Sequence, residues 1–337
     1  MAEEATGWGG RLWAAADLVT PMAIRVAATL RLADHIASGT RTIEALAAAV
    51  DVDRDALGRL LRHLVTAGVL SHAGTGTYHL TALGEQLRDD DPEGVRPWLD
   101  LEGAVGRADL CFVQLLHTVR TGEPAFPRQF GRSFWDDLSA DARLGASFDA
   151  LMGARLVADA PAIAAAYPWS TLGHVVDVGG GNASLLIAIL RAHPDLLGTV
   201  IDLAGPVARA AQAIASAGLG PRVGTQVGSF FDALPAGAGG YLLSGVLHDW
   251  DDEEAARILQ RCADAASATG RVLVVDHIGD AQGDTSDTEG DLRMLCYVRG
   301  RERTLDQLDE LARSAGLQVS SVRPAGSRSI IELRPPH

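Results

Sequence analysis

Two textures of hydrophobic and polar positions divide the chain. Over residues 12–38 and 41–70, apolar residues recur at helical spacing and are rich in Ala, Leu and Val, which predicts packed amphipathic helices. Within "RTIEALAAAVDVDRDALGRLLRHLVTAGVL" two short helices are expected, with Thr42 and Asp53 as N-caps and Gly68 at the exit of the second. "LSHAGTGTYHLT" then predicts two short strands around Gly74-Thr75-Gly76. Helix, turn, helix and hairpin together make a winged-helix unit. The acidic stretch "DDDPEG" at 89–94 breaks the pattern, and helical segments resume over about 95–166, with Trp98, Phe112, Phe148 and Met152 on apolar faces.

From residue 173 the period changes. The runs "HVVDVG", "GTVIDL", "VGTQVGSF", "GGYLLSGV" and "RVLVVDHI" alternate with helical stretches such as "ASLLIAILRAH" and "DDEEAARILQRCADAAS". Strand–helix alternation predicts a parallel sheet covered on both faces. The last segment, "LQVSSVRPAGSRSIIELRP", instead reads as a hairpin around Ala325-Gly326. A parallel sheet ending in an antiparallel hairpin is typical of the methyltransferase version of the doubly wound α/β fold and unusual for dinucleotide-binding domains. The expected organisation is a winged-helix domain over 1–95, a helical linker contributing to a pocket over 96–168, and the α/β domain over 169–337.

Composition narrows the function. The 337 residues are 47% hydrophobic and 21% charged, an ordinary globular balance. No apolar run approaches the ~20 residues of a membrane helix, and "MAEEATGWGG" lacks the basic and apolar regions of a secretory signal. A cytoplasmic protein with no membrane partner is expected. The net charge of −14 argues against binding nucleic acid through phosphates. Every basic residue is arginine, so Schiff-base and P-loop chemistry are excluded. Three widely spaced cysteines fit reduced thiols. No histidine pair has metal-ligand spacing, so no metal is expected.

Two stretches carry candidate chemistry. "DVGGGNAS", Asp177 to Ser184, follows a strand and opens a helix, the context of a nucleotide loop. Gly179 and Gly181 fit the dinucleotide pattern G-x-G-x-x-G, but Ser184 does not; the form D-x-G-x-G, led by Asp177, fits fully. That form belongs to S-adenosylmethionine enzymes, whose ligand has no pyrophosphate. Asp202 closes the next strand, where an acid can bind both ribose hydroxyls. The second stretch is "LLSGVLHDWDD", an apolar run ending in His248.

These stretches resemble S-adenosylmethionine-dependent O-methyltransferases of the plant caffeate type and their bacterial antibiotic-pathway relatives. The matching segments are "VVDVGGG", "VIDLAGP", "VGSFFDALPAGAGGYLLSGVLHDWDDEEA", "GRVLVVD" and "GRERT". "RVAATLRLADHIA", "VGRADL", "SFWDDL" and "DLRMLCY" are most similar to the naphthoate enzymes of that group. The resemblance implies a homodimer formed through the winged-helix domain, and S-adenosylmethionine as cofactor. It implies Gly179 against the cofactor, Asp202 on the ribose, Ser229 and Phe230 at the adenine, Ser244 nearby and Arg155 reaching the methionine carboxylate. Plant relatives usually have Asp where Ser229 stands and Lys where Ser244 stands.

His248 is the expected general base, because an imidazole can take a phenol's proton as the methyl arrives. Asp276 ends the neighbouring parallel strand, on the same sheet edge, and is expected to orient the ring. Glu302 of "GRERT" matches the family's second acid. Asp249 is expected to turn away with the chain, Asp251 or Asp252 to cap the next helix, and His277 to be structural. Trp98, Phe148, Met152, Met294 and Tyr297 are candidates to sandwich a flat aromatic. Arg11 and Arg293 are the candidate clamp for an acceptor carboxylate, the role implied by the naphthoate resemblance.

The leading reading is methylation of a phenolic hydroxyl on a small aromatic acid in antibiotic biosynthesis. Hydroxylation or decarboxylation of a polyketide by a cofactor-binding relative is the alternative. A winged-helix DNA-binding regulator, using Arg54, Arg59 and Arg62, ranks below these, and a dehydrogenase last.

Overall fold

The computed structural model describes residues 10–74, 76–267, 269–278 and 287–336. The acidic start of the chain and Thr75 of the hairpin turn lie outside the described residues. The chain divides into two compact units, 1–107 and 108–337.

The first unit is helical with a small wing. Helices Ile43–Ala49 and Arg54–Thr66 begin at Thr42 and Asp53, whose side chains accept from the amides of Ala45 and Ala56, satisfying donors that a helix start leaves open. Gly68, at φ +74°, follows the second helix. β1 (Leu70–Ala73) and β2 (Thr77–Leu80) pair antiparallel, as the alternation predicts. Leu32, Ile36, Leu46, Leu61 and Leu64 fill the core of this unit. Arg54 and Arg59, two of the arginines a nucleic acid would need, pair with Glu44 at 2.5 Å and Asp55 at 2.8 Å. The short helix Arg11–Ala16 buries none of its residues.

The second unit begins with helices, of which Ala142–Ala166 is the longest, and continues into seven strands. These are β3 (His174–Val178), β4 (Leu197–Asp202), β5 (Val223–Val227), β6 (Gly240–Ser244), β7 (Arg271–Asp276), β8 (Gln318–Ala325) and β9 (Arg328–Arg334). Their order in the sheet is β5-β4-β3-β6-β7-β9-β8. β3 to β7 run parallel, while β9 pairs antiparallel with both β7 and β8. This is the doubly wound methyltransferase sheet with its terminal hairpin.

Alternation along the central strands feeds two cores. Val175, Leu242, Leu273 and Val275 pack with Trp169, Leu186 and Ile189 on one face. Val176, Tyr241, Leu243 and Val274 pack with Ile258, Leu259 and Leu311 on the other. Strands covered on both sides need apolar residues at consecutive positions, hence the unbroken runs in the sequence. The chain leaves β3 outward to β4 and β5, then crosses back to β6 on the opposite side of β3. The carboxyl ends of β3 and β6 therefore flank the switch point at which ligands of open α/β sheets bind. No described helix is long and apolar enough to cross a membrane.

One detail departs from the sequence expectation. β6 ends at Ser244, not at the histidine; the chain turns at Gly245 (φ +62°), and His248 sits in a 3-10 turn, Leu247–Asp249.

Tyr241 anchors β6. It is fully buried, its hydroxyl lies 2.5 Å from the Pro235 carbonyl and 3.0 Å from that of Ala265, and it accepts from the Ala238 amide at 3.4 Å. Tyr241→Phe leaves those groups unpaired and is expected to cost about 1–3 kcal/mol, measured by urea unfolding.

Candidate active site

The glycine turn follows β3. An added Cβ on Gly179 would stand 3.0 Å from Val246 and 3.4 Å from the Phe230 ring, so a side chain there would fill the space between the turn and that ring. Asp202, at the end of β4, accepts from the Gly181 amide at 2.8 Å and the Leu203 amide at 2.7 Å. Asp177 is 2% exposed; burial, then the nearby Asp202 charge, push its carboxyl up to about 7. Ser229 follows β5, where its hydroxyl accepts from the Phe231 amide. The Ser244 hydroxyl, at the end of β6, is buried with no hydrogen-bond partner among the described residues, an orphan that calls for a ligand. A strand-ending acid, an aromatic face and this hydroxyl fit an adenosyl sulfonium. Asn182 is a tie that sequence reasoning missed: its amide donates to the Asp149 carbonyl at 3.1 Å and its oxygen accepts from the Ser184 hydroxyl at 2.6 Å. Nothing in the sequence distinguishes it from an ordinary loop residue.

His248 is surrounded by three carboxylates. Its Nδ1 donates to Glu302 Oε1 at 3.0 Å and lies 3.6 Å from Asp276 Oδ1. Its Nε2 lies 3.6 Å from Asp249 Oδ1. Asp249 therefore stays near the ring instead of turning away with the chain. Glu302, carried only by the family resemblance, makes the direct bond; Asp276 stands one step further off. Burial opposes a charged imidazole, but Asp276, Asp249 and Glu302 outweigh it and push His248 up to about 10. Burial pushes Asp249 up to about 7, with His248 pulling against Asp276 and Glu302.

The loop 299–303 straps this turn. An added Cβ on Gly300 would collide with the His248 carbonyl oxygen and stand 2.7 Å from the Asp249 carbonyl carbon. The Arg301 amide donates to the His248 carbonyl at 2.8 Å. Arg303, 5% exposed, donates to the carbonyls of Leu247 at 2.6 Å and Trp250 at 2.8 Å and to Asp252. Asp251 caps the following helix, Asp252–Ala266, through the Glu254 amide. His277 bonds the Ser327 carbonyl.

His248, Asp276 and Glu302 present one donor atom each within 4.8 Å. Two ligands of a tetrahedral ion, with bonds of ~2.1 Å, stand about 3.4 Å apart. The 3.0 Å separation of His248 and Glu302 is shorter than that and is a hydrogen bond.

The other expected residues divide. Tyr297 stacks on Phe134 at 5.5 Å and its hydroxyl donates to Asp109. Phe148 meets Phe134 at 5.6 Å and Trp135 at 5.7 Å, and Met294 packs in the same cluster. Met152 is half-buried on the helix that carries Phe148. Trp135 stacks on Trp250 at 6.3 Å, and Trp250 meets Phe230 at 5.6 Å; aromatic contacts thus run from the Phe134 wall to the glycine turn, through two tryptophans given no role from sequence. Arg293 pairs with Asp109 at 3.0 Å and Glu289 at 2.7 Å. Arg155 meets Asp287 at 3.5 Å. Arg11 and Trp98 belong to the first unit.

A doubly wound sheet with a phosphate-free nucleoside cradle at its switch point defines an S-adenosylmethionine-binding enzyme. A family model of an O-methyltransferase domain matches residues 112–318, and one of an O-methyltransferase dimerisation domain matches residues 13–89. The chain is 55% identical over 322 residues to 2,7-dihydroxy-5-methyl-1-naphthoate 7-O-methyltransferase of Streptomyces carzinostaticus, covering 96% of each. It is 49% identical over 322 residues to aclacinomycin 10-hydroxylase of Streptomyces purpurascens, covering 93% of this chain and 85% of that one. It is similar, at a TM-score of 0.93 and 54% identity, to the crystal structure of an O-methyltransferase from neocarzinostatin biosynthesis in complex with S-adenosylmethionine and 2-hydroxy-5-methyl naphthoic acid, covering 98% of this chain and 100% of that one. The chain belongs to the S-adenosylmethionine-dependent O-methyltransferases.

Two outcomes follow from the geometry of the histidine turn. Gly300→Ala is expected to displace the turn and lower kcat about 10²-fold with cofactor affinity unchanged, measured by steady-state kinetics and calorimetry. His248 stands above the ~6.5 of an unfolded histidine. Its cluster therefore adds stability that is fully present below pH ~6.5 and is lost as pH rises through about 10. Thermal unfolding should fall more steeply across that window in the wild type than in His248→Gln.

Proposed function

We propose that this enzyme methylates a phenolic hydroxyl of a hydroxynaphthoate-like aromatic acid in antibiotic biosynthesis, with His248 as general base. The observation that carries the reading is the hydrogen bond from His248 Nδ1 to buried Glu302. With its Nδ1 proton held by Glu302, the ring offers the Nε2 lone pair to an acceptor once its second proton has left. The naphthoate O-methyltransferase relative, with its crystal structure holding a hydroxynaphthoic acid, supports the acceptor class.

S-adenosylmethionine, when bound, supplies an electrophilic methyl group and a neutral thioether leaving group. Asp202 binds the ribose, Phe230 and Ser229 border the adenine, and Gly179 and Gly181 let the backbone approach. Ser244 donates its free hydroxyl, Asp177 stands toward the ammonium end and Arg155 toward the carboxylate. His248 receives the phenol's proton as the oxygen–carbon bond forms, and Glu302, Asp276 and Asp249 stabilise the resulting imidazolium. A phenol ionises near ~10, and a histidine pushed up to about 10 is matched to it. Reaction is therefore expected to quicken as pH rises from neutrality.

Phe148, Met152, Met294 and Tyr297 form the walls for the aromatic ring, and Arg293, already turned by Asp109 and Glu289, takes the acceptor carboxylate. Trp98 and Arg11 are the first unit's candidates for contact with the acceptor. The domains run 1–95, 96–168 and 169–337, and two chains associate through the first. Three free, buried cysteines suit the reducing cytoplasm, and the net charge of −14 argues against a nucleic-acid partner.

Hydroxylation is the second reading, favoured by the hydroxylase relative at 49% identity. An assay across hydroxynaphthoic, hydroxybenzoic and polyketide phenols separates them: the product gains the mass of one methylene in the first reading and of one oxygen in the second. His248→Ala is expected to lower kcat by about 10²–10⁴-fold, and Arg11→Ala or Arg293→Ala to raise KM for acids but not for naphthols. Full activity of His248→Ala overturns the base assignment.

A further inference from the structure

Arg328 has no role in the site described so far, yet it lies against it. It is the first residue of β9, beyond the hairpin turn, and is 7% exposed. Its Nε and NH1 are buried without hydrogen-bond partners among the described residues. They stand instead in longer ion contacts, Nε 3.6 Å from Asp159 Oδ2 and NH1 3.8 Å from Asp276 Oδ1. The same Asp276 oxygen lies 3.6 Å from His248 Nδ1 and accepts from the His277 amide at 3.0 Å. A Cβ built on Gly245 would be 3.9 Å from both Arg328 NH1 and His248 Nε2, so guanidinium and imidazole border one small volume.

Charge makes this placement consequential. His248 is faced by Asp249 from its own turn, Asp276 from β7 and Glu302 from the loop 299–303. Three carboxylates favour an imidazolium so strongly that the ring would hold its proton and be a poor acceptor near neutrality. Arg328 is the cation set against them. The groups facing it are Asp276, Asp159 and Arg155 from the helix Ala142–Ala166, and Glu302. Burial, reinforced by Arg155, weakens its hold on its proton, while Asp276, Asp159 and Glu302 strengthen it.

We propose that Arg328 is a positioning residue for methyl transfer: its buried guanidinium holds the Asp276 carboxylate between β7 and β9 and offsets part of the negative charge at His248, so that the imidazole gives up its proton at a lower pH than three unopposed carboxylates would set. Asp159 holds the other edge of the guanidinium and, through the Ser327 amide at 2.8 Å and hydroxyl at 2.6 Å, the turn that presents it. The proposal rests on His248 being the base, so its test needs a readout that does not depend on turnover.

That readout is the titration of the His248 ring, followed by nuclear magnetic resonance on histidine-labelled full-length protein and assigned by its loss in His248→Gln. In Arg328→Met the midpoint is expected to rise by about one pH unit or more, and in Arg328→Lys to stay near the wild type. In Asp159→Asn, where Arg328 keeps its charge and loses a counter-ion, it is expected to fall. Adding Asp276→Asn to Arg328→Met should bring it back down, a coupling read as a double-mutant cycle. The limb of kcat/KM against pH, measured with a hydroxynaphthoic acid and S-adenosylmethionine, should move with the midpoint, giving about a tenfold loss at pH 7 that is recovered at alkaline pH. A folded Arg328→Met with an unmoved midpoint overturns the proposal, as does a rise in Asp159→Asn, the variant that decides the matter if Arg328→Met does not fold. Turnover surviving in His248→Gln would remove the base reading alone, with the ring titration still testing the charge effect.

Discussion

Parallel pairing of β3 with β6 is the constraint on which the site depends. Val175, Val176 and Asp177 lie beside Gly240, Tyr241 and Leu242, and this register brings two distant turns to one sheet edge. The glycine turn leaves β3 and the histidine turn leaves β6, so both border the crevice where strand order reverses. Phe230 and Val246 against Gly179 close the gap between them. The apolar runs of β3 and β6 are thus positioning elements: their burial on both faces gives the two turns a rigid floor.

A second constraint is electrostatic. Burying one imidazole among three carboxylates is costly unless each charge finds a partner. The structure answers with direct bonds and with enclosure: Glu302 bonds the ring, Arg328 stands against Asp276, and Arg303 ties the carbonyls on either side of the histidine turn. The loop 299–303 is therefore as much a part of the site as the motif it covers. Gly300 approaches the His248 carbonyl more closely than any side chain would allow, Arg301 bonds that carbonyl, Glu302 bonds the ring, and Arg303 buries its fork beneath.

Much of the fold was legible in the sequence because the signals were local. Thr42, Asp53 and Asp251 cap helices as their positions suggest, and the strand runs fall where apolar residues cluster. The cradle was legible for the same reason: D-x-G-x-G and a strand-ending acid are compact patterns with a direct physical meaning. The environment of the histidine was only partly legible. Asp276 follows from parallel-strand geometry, but Asp249 was misjudged: the chain turns at Gly245, before the histidine, and keeps Asp249 beside the ring in the 3-10 turn Leu247–Asp249. Arg293 reads as a free cation beside apolar neighbours, yet Asp109, far earlier in the chain, takes it. Asn182, Arg303, Trp135 and Trp250 lie inside the quoted motifs, but neither periodicity nor spacing gives any of them a role.

What the sequence determined by itself was the kind of machine: a parallel sheet with a terminal hairpin, a glycine turn after its first strand and a histidine in the motif that follows a strand. Those features rest on local periodicity and short motifs, which survive without knowledge of which segments meet. What only tertiary structure decided was the charge environment of that histidine. Glu302 from a distant loop, Asp276 from the next strand and Arg328 from the terminal hairpin converge on it across chain separations that no spacing rule encodes. The strength of a base is set by all charges within a few ångströms in a poorly screened interior, so it is a property of the folded packing.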